Sequence, residues 1–301
     1  MVARGIKRFR VPPPPDGYCL LRFQVGVDGR FGALFSTLDT NAAWRNAIDT
    51  RQRLPTIPAT AQGLVALSHG HGWREIARFP LQSYHYAFDF APDDFCIVAD
   101  VRCGRDDLNA VTYVAGKKGR VFHAGDGINH LQCDDRGGLW VGYFDEGVFG
   151  NTIASHGIVR FTRDGEISSY LASITLDDCY SLNVGTAATW SCWYTGFPVV
   201  RLDDNCAEQR WSNDLLAGIS AIAVSEPHVL LISGYPPERN RIVLGEFHLG
   251  GVRQVAAFDA REALGVDLEK VWFTARNDCF YVVNGDELLI APISWFAERC
   301  R

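Results

Sequence analysis

The segment Tyr143-Phe144-Asp145-Glu146-Gly147-Val148-Phe149-Gly150-Asn151 sets two adjacent carboxylates ahead of a pair of glycines. Such a loop can hold a cation or hydrogen-bond a polyhydroxylated or cationic ligand. Asp177-Asp178, just before Cys179, offers a second acid pair. The competing reading of both is a solvated turn whose glycines serve backbone geometry. Ser68-His69-Gly70-His71-Gly72 can place two imidazoles on one side of a strand, as a metal pair requires. No third ligand stands at zinc-like spacing, so the segment reads as a hairpin turn and no metal ligand is assigned. The sequence contains no G-x-S-x-G elbow, P-loop, C-x-x-C pair or EF-hand ladder, and therefore designates no nucleophile.

These groups must be positioned by a chain of 301 residues with a formal net charge of −6 and 47% hydrophobic residues. That balance implies a packed globular fold and excludes disorder, collagen and coiled coil. Mild acidity without a Lys/Arg run argues against a nucleic-acid partner or an anionic membrane surface. The basic start is followed by Pro12 to Pro15 instead of an apolar stretch, so no secretory signal is read there. The nine cysteines are odd in number and most sit in apolar, strand-like segments, as reduced buried cysteines do. A cytoplasmic monomer is the expectation.

Short β-rich runs recur along the whole chain, and long helical periodicity is almost absent. Six places share one grammar: an alternating strand, a tight polar turn, then a more apolar strand. They are 21–25 with 31–35, 86–90 with 95–99, 128–133 with 139–144, 180–184 with 190–194, 219–224 with 229–233, and 271–274 with 279–283. A second hairpin follows in most units, as in 157–162 and 167–171 around an Asp164-Gly165 turn. Two hairpins per unit predict an all-β, six-bladed β-propeller of four-stranded antiparallel blades. The blades fall at about 17–81, 83–125, 126–172, 177–212, 217–259 and 268–293. The last unit is one strand short, and the unpaired segment 5–11 predicts an N-terminal strand that closes the ring.

One unit carries a wider likeness. Ile128-Asn129-His130-Leu131-Gln132-Cys133-Asp134-Asp135-Arg136-Gly137-Gly138-Leu139-Trp140-Val141-Gly142 resembles the repeat of two-component-regulator-type and NHL-like propellers, which runs D..G.LWVG. The likeness covers about one blade and implies fold more than function. The segment from Trp140 to Asn151 is also similar to bacterial propeller proteins, a likeness that implies no activity.

In a propeller, the loops entering each blade and those joining its second and third strands share one face, around the channel. That rule gathers His85, Asp126, Asn129, Asp177 and Asp178 from entry loops with Asp145, Glu146, Asn151 and Tyr194 from mid-blade loops. The long excursion 36–62 joins them, with one or two helical turns at 41–48, Asn41 as cap, and Trp44 as a ligand platform. It can lie across the channel mouth as a lid. Trp140, Trp190 and Trp272 alternate within strands and read as blade-to-blade packing.

The sequence thus favours a binding or interaction module holding a polar small molecule, a sugar or a peptide on the loop-rich face. A second reading is a metal-assisted hydrolase or lyase. Lactonase-like six-bladed propellers carry a divalent cation held by Glu, Asn and Asp at strand ends, and Asn129 and Asp178 occupy similar places. The early Glu-Gly-Pro segment of that group is replaced here by Asp16-Gly17-Tyr18-Cys19. A purely structural scaffold is the third reading.

Overall fold

The computed structural model describes residues 5–150, 152–172 and 176–300. Its strands form six four-stranded antiparallel sheets. Strand β1 (Lys7–Arg10) comes first, and blade one follows as β2 (Cys19–Val25), β3 (Phe31–Ser36), β4 (Gln62–His69) and β5 (Gly72–Pro80). Blade two is β6 (Tyr86–Phe90), β7 (Phe95–Asp100), β8 (Ala110–Val114) and β9 (Lys117–Phe122). Blade three is β10 (Ile128–Cys133), β11 (Gly138–Tyr143), β12 (Ile158–Thr162) and β13 (Ile167–Tyr170). Blade four is β14 (Asp178–Val184), β15 (Thr189–Tyr194), β16 (Val199–Leu202) and β17 (Glu208–Trp211). Blade five is β18 (Ala221–Ser225), β19 (His228–Ile232), β20 (Arg241–His248) and β21 (Gly251–Asp259).

Blade six supplies only β22 (Trp272–Arg276), β23 (Cys279–Asn284) and β24 (Glu287–Pro292). Strand β1 completes it, with Arg8 opposite Leu289 and Phe9 opposite Leu288. The innermost strands touch in the order β2, β6, β10, β14, β18, β22 and back to β2, so the ring is closed. The expected last strand stops at Pro292, because the chain then turns into a short helix at Ile293–Glu298 that buries Ile293 and Phe296.

Burial follows position within the blade. Strands β3 and β11 are buried at every residue, since they are flanked by strands on both sides and by neighbouring blades on both faces. Outermost strands such as β1 and β9 are largely exposed. The D..G.LWVG motif works within this packing. Asp134 accepts from the Arg136 and Gly138 N–H groups, which ties the turn, and from Trp140 Nε1 at 3.1 Å. Arg160 on the next strand donates to Asp134 at 2.9 Å, so the motif's acid locks a fully buried Trp140 in place. This motif is structural.

Amide side chains on the inner strands stitch the ring together. Gln24 donates to Phe88 and Leu131 carbonyls of blades two and three, and Gln132 donates to Leu182 of blade four. Asn183 donates to Ile222 of blade five and to Asn277 of blade six, and Asn277 donates to Val27 of blade one. Each bond runs to a backbone carbonyl of another blade and so ties blades to one another across the ring.

Candidate functional site

The mouth of the channel is built where β2, β6, β10 and β22 begin. A cavity of about 330 Å³ there is lined by Arg22, Asn41, Tyr84, His85, Asn129, Phe144 and Trp272, among others. A second cavity of about 210 Å³ continues it along the axis, past Gln24, His130, Gln132, Ser220 and Thr274. The two share Arg22, Asn129 and Trp272. Below them the axis is crossed by Arg276 of blade six, which reaches Asp89 of blade two and the Cys133 carbonyl of blade three.

Two of the sequence-predicted residues, His85 and Asn129, line this mouth, and a third, Trp44, packs against His85. His85 lines it from the entry loop of blade two, with its ring edge-on to Trp44 at a centroid distance of 4.3 Å. Burial, and then the charge of Arg22, lower the His85 pKa. Asn129 lines both cavities and donates to the Cys179 carbonyl at 2.8 Å. Trp44 sits on helix α1 (Thr40–Thr50), which is longer than the one or two turns expected. Its cap is Asp39, whose side chain accepts from the Ala42 N–H, and not Asn41. Asn41 is instead turned inward by a bond to the Leu21 carbonyl, because the helix is docked on β2.

Asp126 and Glu146 are brought together, but on a cation. Arg102 donates from Nε to Asp126 at 3.0 Å and from Nη1 to Glu146 at 2.5 Å, while its guanidinium lies over Phe144. Burial acts to raise the Asp126 pKa, and the Arg102 and Cys103 hydrogen bonds outweigh it, so the net shift is downward. The trio fixes the loop wall beside the cavity. The segment expected to be a flexible loop is a helical turn, α2 (Asp145–Val148). Gly147 is required there by contact: a Cβ would meet the Asp126 carbonyl oxygen at 2.3 Å.

Asp145, Asp177, Asp178 and Tyr194 form the adjoining rim between blades three and four. Asp178 pairs with Tyr194 in the β14–β15 register, and the Asp177 N–H donates to the Tyr194 carbonyl. Burial, and then the nearby Asp145, push the Asp178 carboxyl up to about 6. Helix α2, which starts at Asp145, packs against β14, which starts at Asp178, so the two acids stand on the same side of the ring. Tyr180, Tyr194, Phe197 and Tyr235 pack edge to face beside them, with Tyr180 and Tyr235 joined through their hydroxyls. Asn151 lies outside the described residues.

Sequence reasoning missed Arg22, His130 and Trp272. The first two lie within the inner strands β2 and β10, whereas the rule that assigns loops to faces reaches loop residues alone. The alternation Leu21-Arg22-Phe23-Gln24, apolar then polar, was the available signal for a channel-facing arginine. Trp272 is a correction. It does not pack blade against blade but stands 45% exposed at the mouth, where it lines both cavities. His69 and His71 occupy the β4–β5 turn, exposed and away from this face. No group of three or more His, Cys, Asp or Glu side chains is poised for a metal among the described residues.

Residues 153–288 match the model of the YxzG family. No curated protein matches the chain. Among solved structures, a streptogramin B lyase is 13% identical, over 95% of this chain and 96% of that one, with a TM-score of 0.52. A catalytically inactive virginiamycin B lyase from Staphylococcus aureus, with quinupristin, is 11% identical over 95% and 99%, at a TM-score of 0.50. At such identities the likeness is one of fold. Among the described residues no helix is long and apolar enough to cross a membrane.

Proposed function

We propose that this propeller is a binding module holding a small polar molecule, such as a sugar, a peptide end or a metabolite, in the mouth of its channel. The observation that carries this reading is the continuous pair of cavities sharing Arg22, Asn129 and Trp272. Their lining sets aromatic and aliphatic side chains beside about as many convergent polar groups, which suits a polar ligand. The crossing of Arg276 below gives the pocket a floor. Exposed Trp272 supplies a flat face on which a sugar ring or planar group can stack.

A screen of metabolites by ligand-induced thermal stabilisation tests the reading. Trp272→Ala is expected to abolish the stabilisation given by any hit while leaving the ligand-free melting point within about 2 °C of wild type. A hit that stabilises Trp272→Ala equally binds elsewhere and removes the mouth from the proposal.

A lyase or hydrolase reading has one specific support. His85 and His130 face these cavities with pKa values lowered by burial and then by Arg22, so each stays a neutral base at neutral pH. Mass analysis of a hit after incubation separates the two: an unchanged compound supports binding, and a cleaved or rearranged one supports catalysis.

A further inference from the structure

Acids stand on the rim around the channel mouth, with Asp126 and Glu146 on Arg102 and Asp145 beside Asp178, but the cavities themselves are lined differently. Neither cavity lining contains an Asp or a Glu, and Arg22, common to both, is their one fixed charge. Among the described residues Arg22 pairs with no carboxylate. Its Nη1 reaches only the Tyr86 carbonyl, at 3.4 Å. Other groups beside it are unpaired as well. His130 Nε2 is buried without a hydrogen-bond partner, and so is the hydroxyl of fully buried Thr40 in the wall of the mouth.

A half-enclosed guanidinium without a counter-ion is costly, and it persists in a chain where other arginines, exposed or part-buried, find carboxylate partners. Guanidinium also presents a planar fork that matches the two oxygens of a carboxylate or a phosphate. The missing partner is therefore an acceptor that carries negative charge. We propose that the channel mouth takes a ligand with one anionic group, a carboxylate or a phosphate, seated on Arg22 between Asn129 and His130, with a planar or apolar remainder against Trp272 and Phe144. This inference rests on the binding reading above and narrows its ligand class.

Electrostatics of the neighbours agree with that seating. Burial, then the Arg22 charge, lower His130 to about 4, and burial lowers the pKa of Arg22 itself. An anion on Arg22 would cancel much of the field felt by both imidazoles.

The test uses the full chain and five probes: inorganic phosphate, phenyl phosphate, benzoate, neutral benzamide and cationic benzylamine. Titration calorimetry and melting shifts are expected to show binding of phenyl phosphate or benzoate and none of benzylamine. The stronger of the two anions tells phosphate from carboxylate chemistry. Arg22→Gln is expected to weaken the anion about tenfold or more, and Arg22→Lys to retain part of the affinity. As a readout on the unmodified protein, the His130 imidazole resonances should shift on adding the anion. Equal anion affinity in Arg22→Gln, or unmoved His130 resonances at saturation, would overturn the inference. Binding of benzamide or benzylamine with no anion bound would overturn it too, while leaving the binding reading intact. If no probe and no screened metabolite binds the mouth, both readings fall.

Discussion

Asp89 of blade two and Arg276 of blade six meet inside the ring, Oδ2 to Nη2 at 3.3 Å, with both side chains essentially excluded from solvent. Asp89 also accepts from the Cys133 N–H at 2.7 Å, and Arg276 donates to the Cys133 carbonyl. Three blades are thus tied at one point beneath the pocket. Burial pushes the Asp89 carboxyl up to about 6 even though Arg276 and the N–H bonds pull it down. The two partners are unequal, because an aspartate can take a proton when stranded and an arginine cannot lose one. Arg276 already has Nε and Nη1 buried without partners.

Asp89→Ala is accordingly expected to lose about 3–5 kcal/mol in urea unfolding, having left a buried cation alone. Arg276→Met should lose less at about pH 5, where Asp89 is neutralised by a proton, and more at about pH 8. Equal losses for the two variants at about pH 5 would refute the asymmetry.

Asp178 yields a prediction of the opposite kind. Its folded pKa of about 6 lies above the unfolded value of roughly 3.9, so the folded state binds the extra proton between these limits. Stability linked to this group is therefore fully present below about pH 4 and is lost as pH rises through about 6. Oδ1 of Asp178 is buried without a partner, which makes the ionised form costly. Asp178→Asn should melt above wild type at about pH 8 and converge with it near pH 4.5. Solvent screening at this half-buried site limits the gain to about 1–2 kcal/mol. A variant less stable than wild type at about pH 8 would show that the carboxylate is held by contacts it makes when charged.

Arg22→Met tests whether the unpaired guanidinium is a cost in the ligand-free protein. The methionine keeps the apolar stem against the channel wall and removes the charge. Ligand-free melting should rise, by on the order of 1 kcal/mol or more in stability. A fall of similar size would mean that Arg22 holds the mouth together rather than waiting for a partner.

Removal of residues 1–11 tests the closure of the ring. It deletes β1 from the edge of β24 and takes away Val11, which is buried with Val25, Phe31, Tyr281 and Leu288. Loss of that side chain and its neighbouring backbone bonds should cost at least about 2 kcal/mol. The bared edge of β24 should also promote self-association, visible by sedimentation. Unchanged melting with a monodisperse profile would argue against a closing role for β1.

Period-two alternation and regularly placed turns were enough to read six units of four strands and the borrowed first strand. Both follow from local physics, since each hairpin must hide one apolar face and end in residues that tolerate the turn. The same reasoning put His85, Asn129 and Trp44 near one opening, because the propeller rule assigns loops to faces. It did not distinguish Asp126 and Glu146, which neutralise Arg102, from Asp178, which is left with an unpartnered buried oxygen. Arg22, Trp272 and the Asp89–Arg276 crossing join residues up to 250 positions apart, as Arg22 and Trp272 stand in the chain. Periodicity of side chains is a property of neighbours along the chain, and it determined the blades. Which charges find partners depends on distances across the ring, and only the closed tertiary structure decided those.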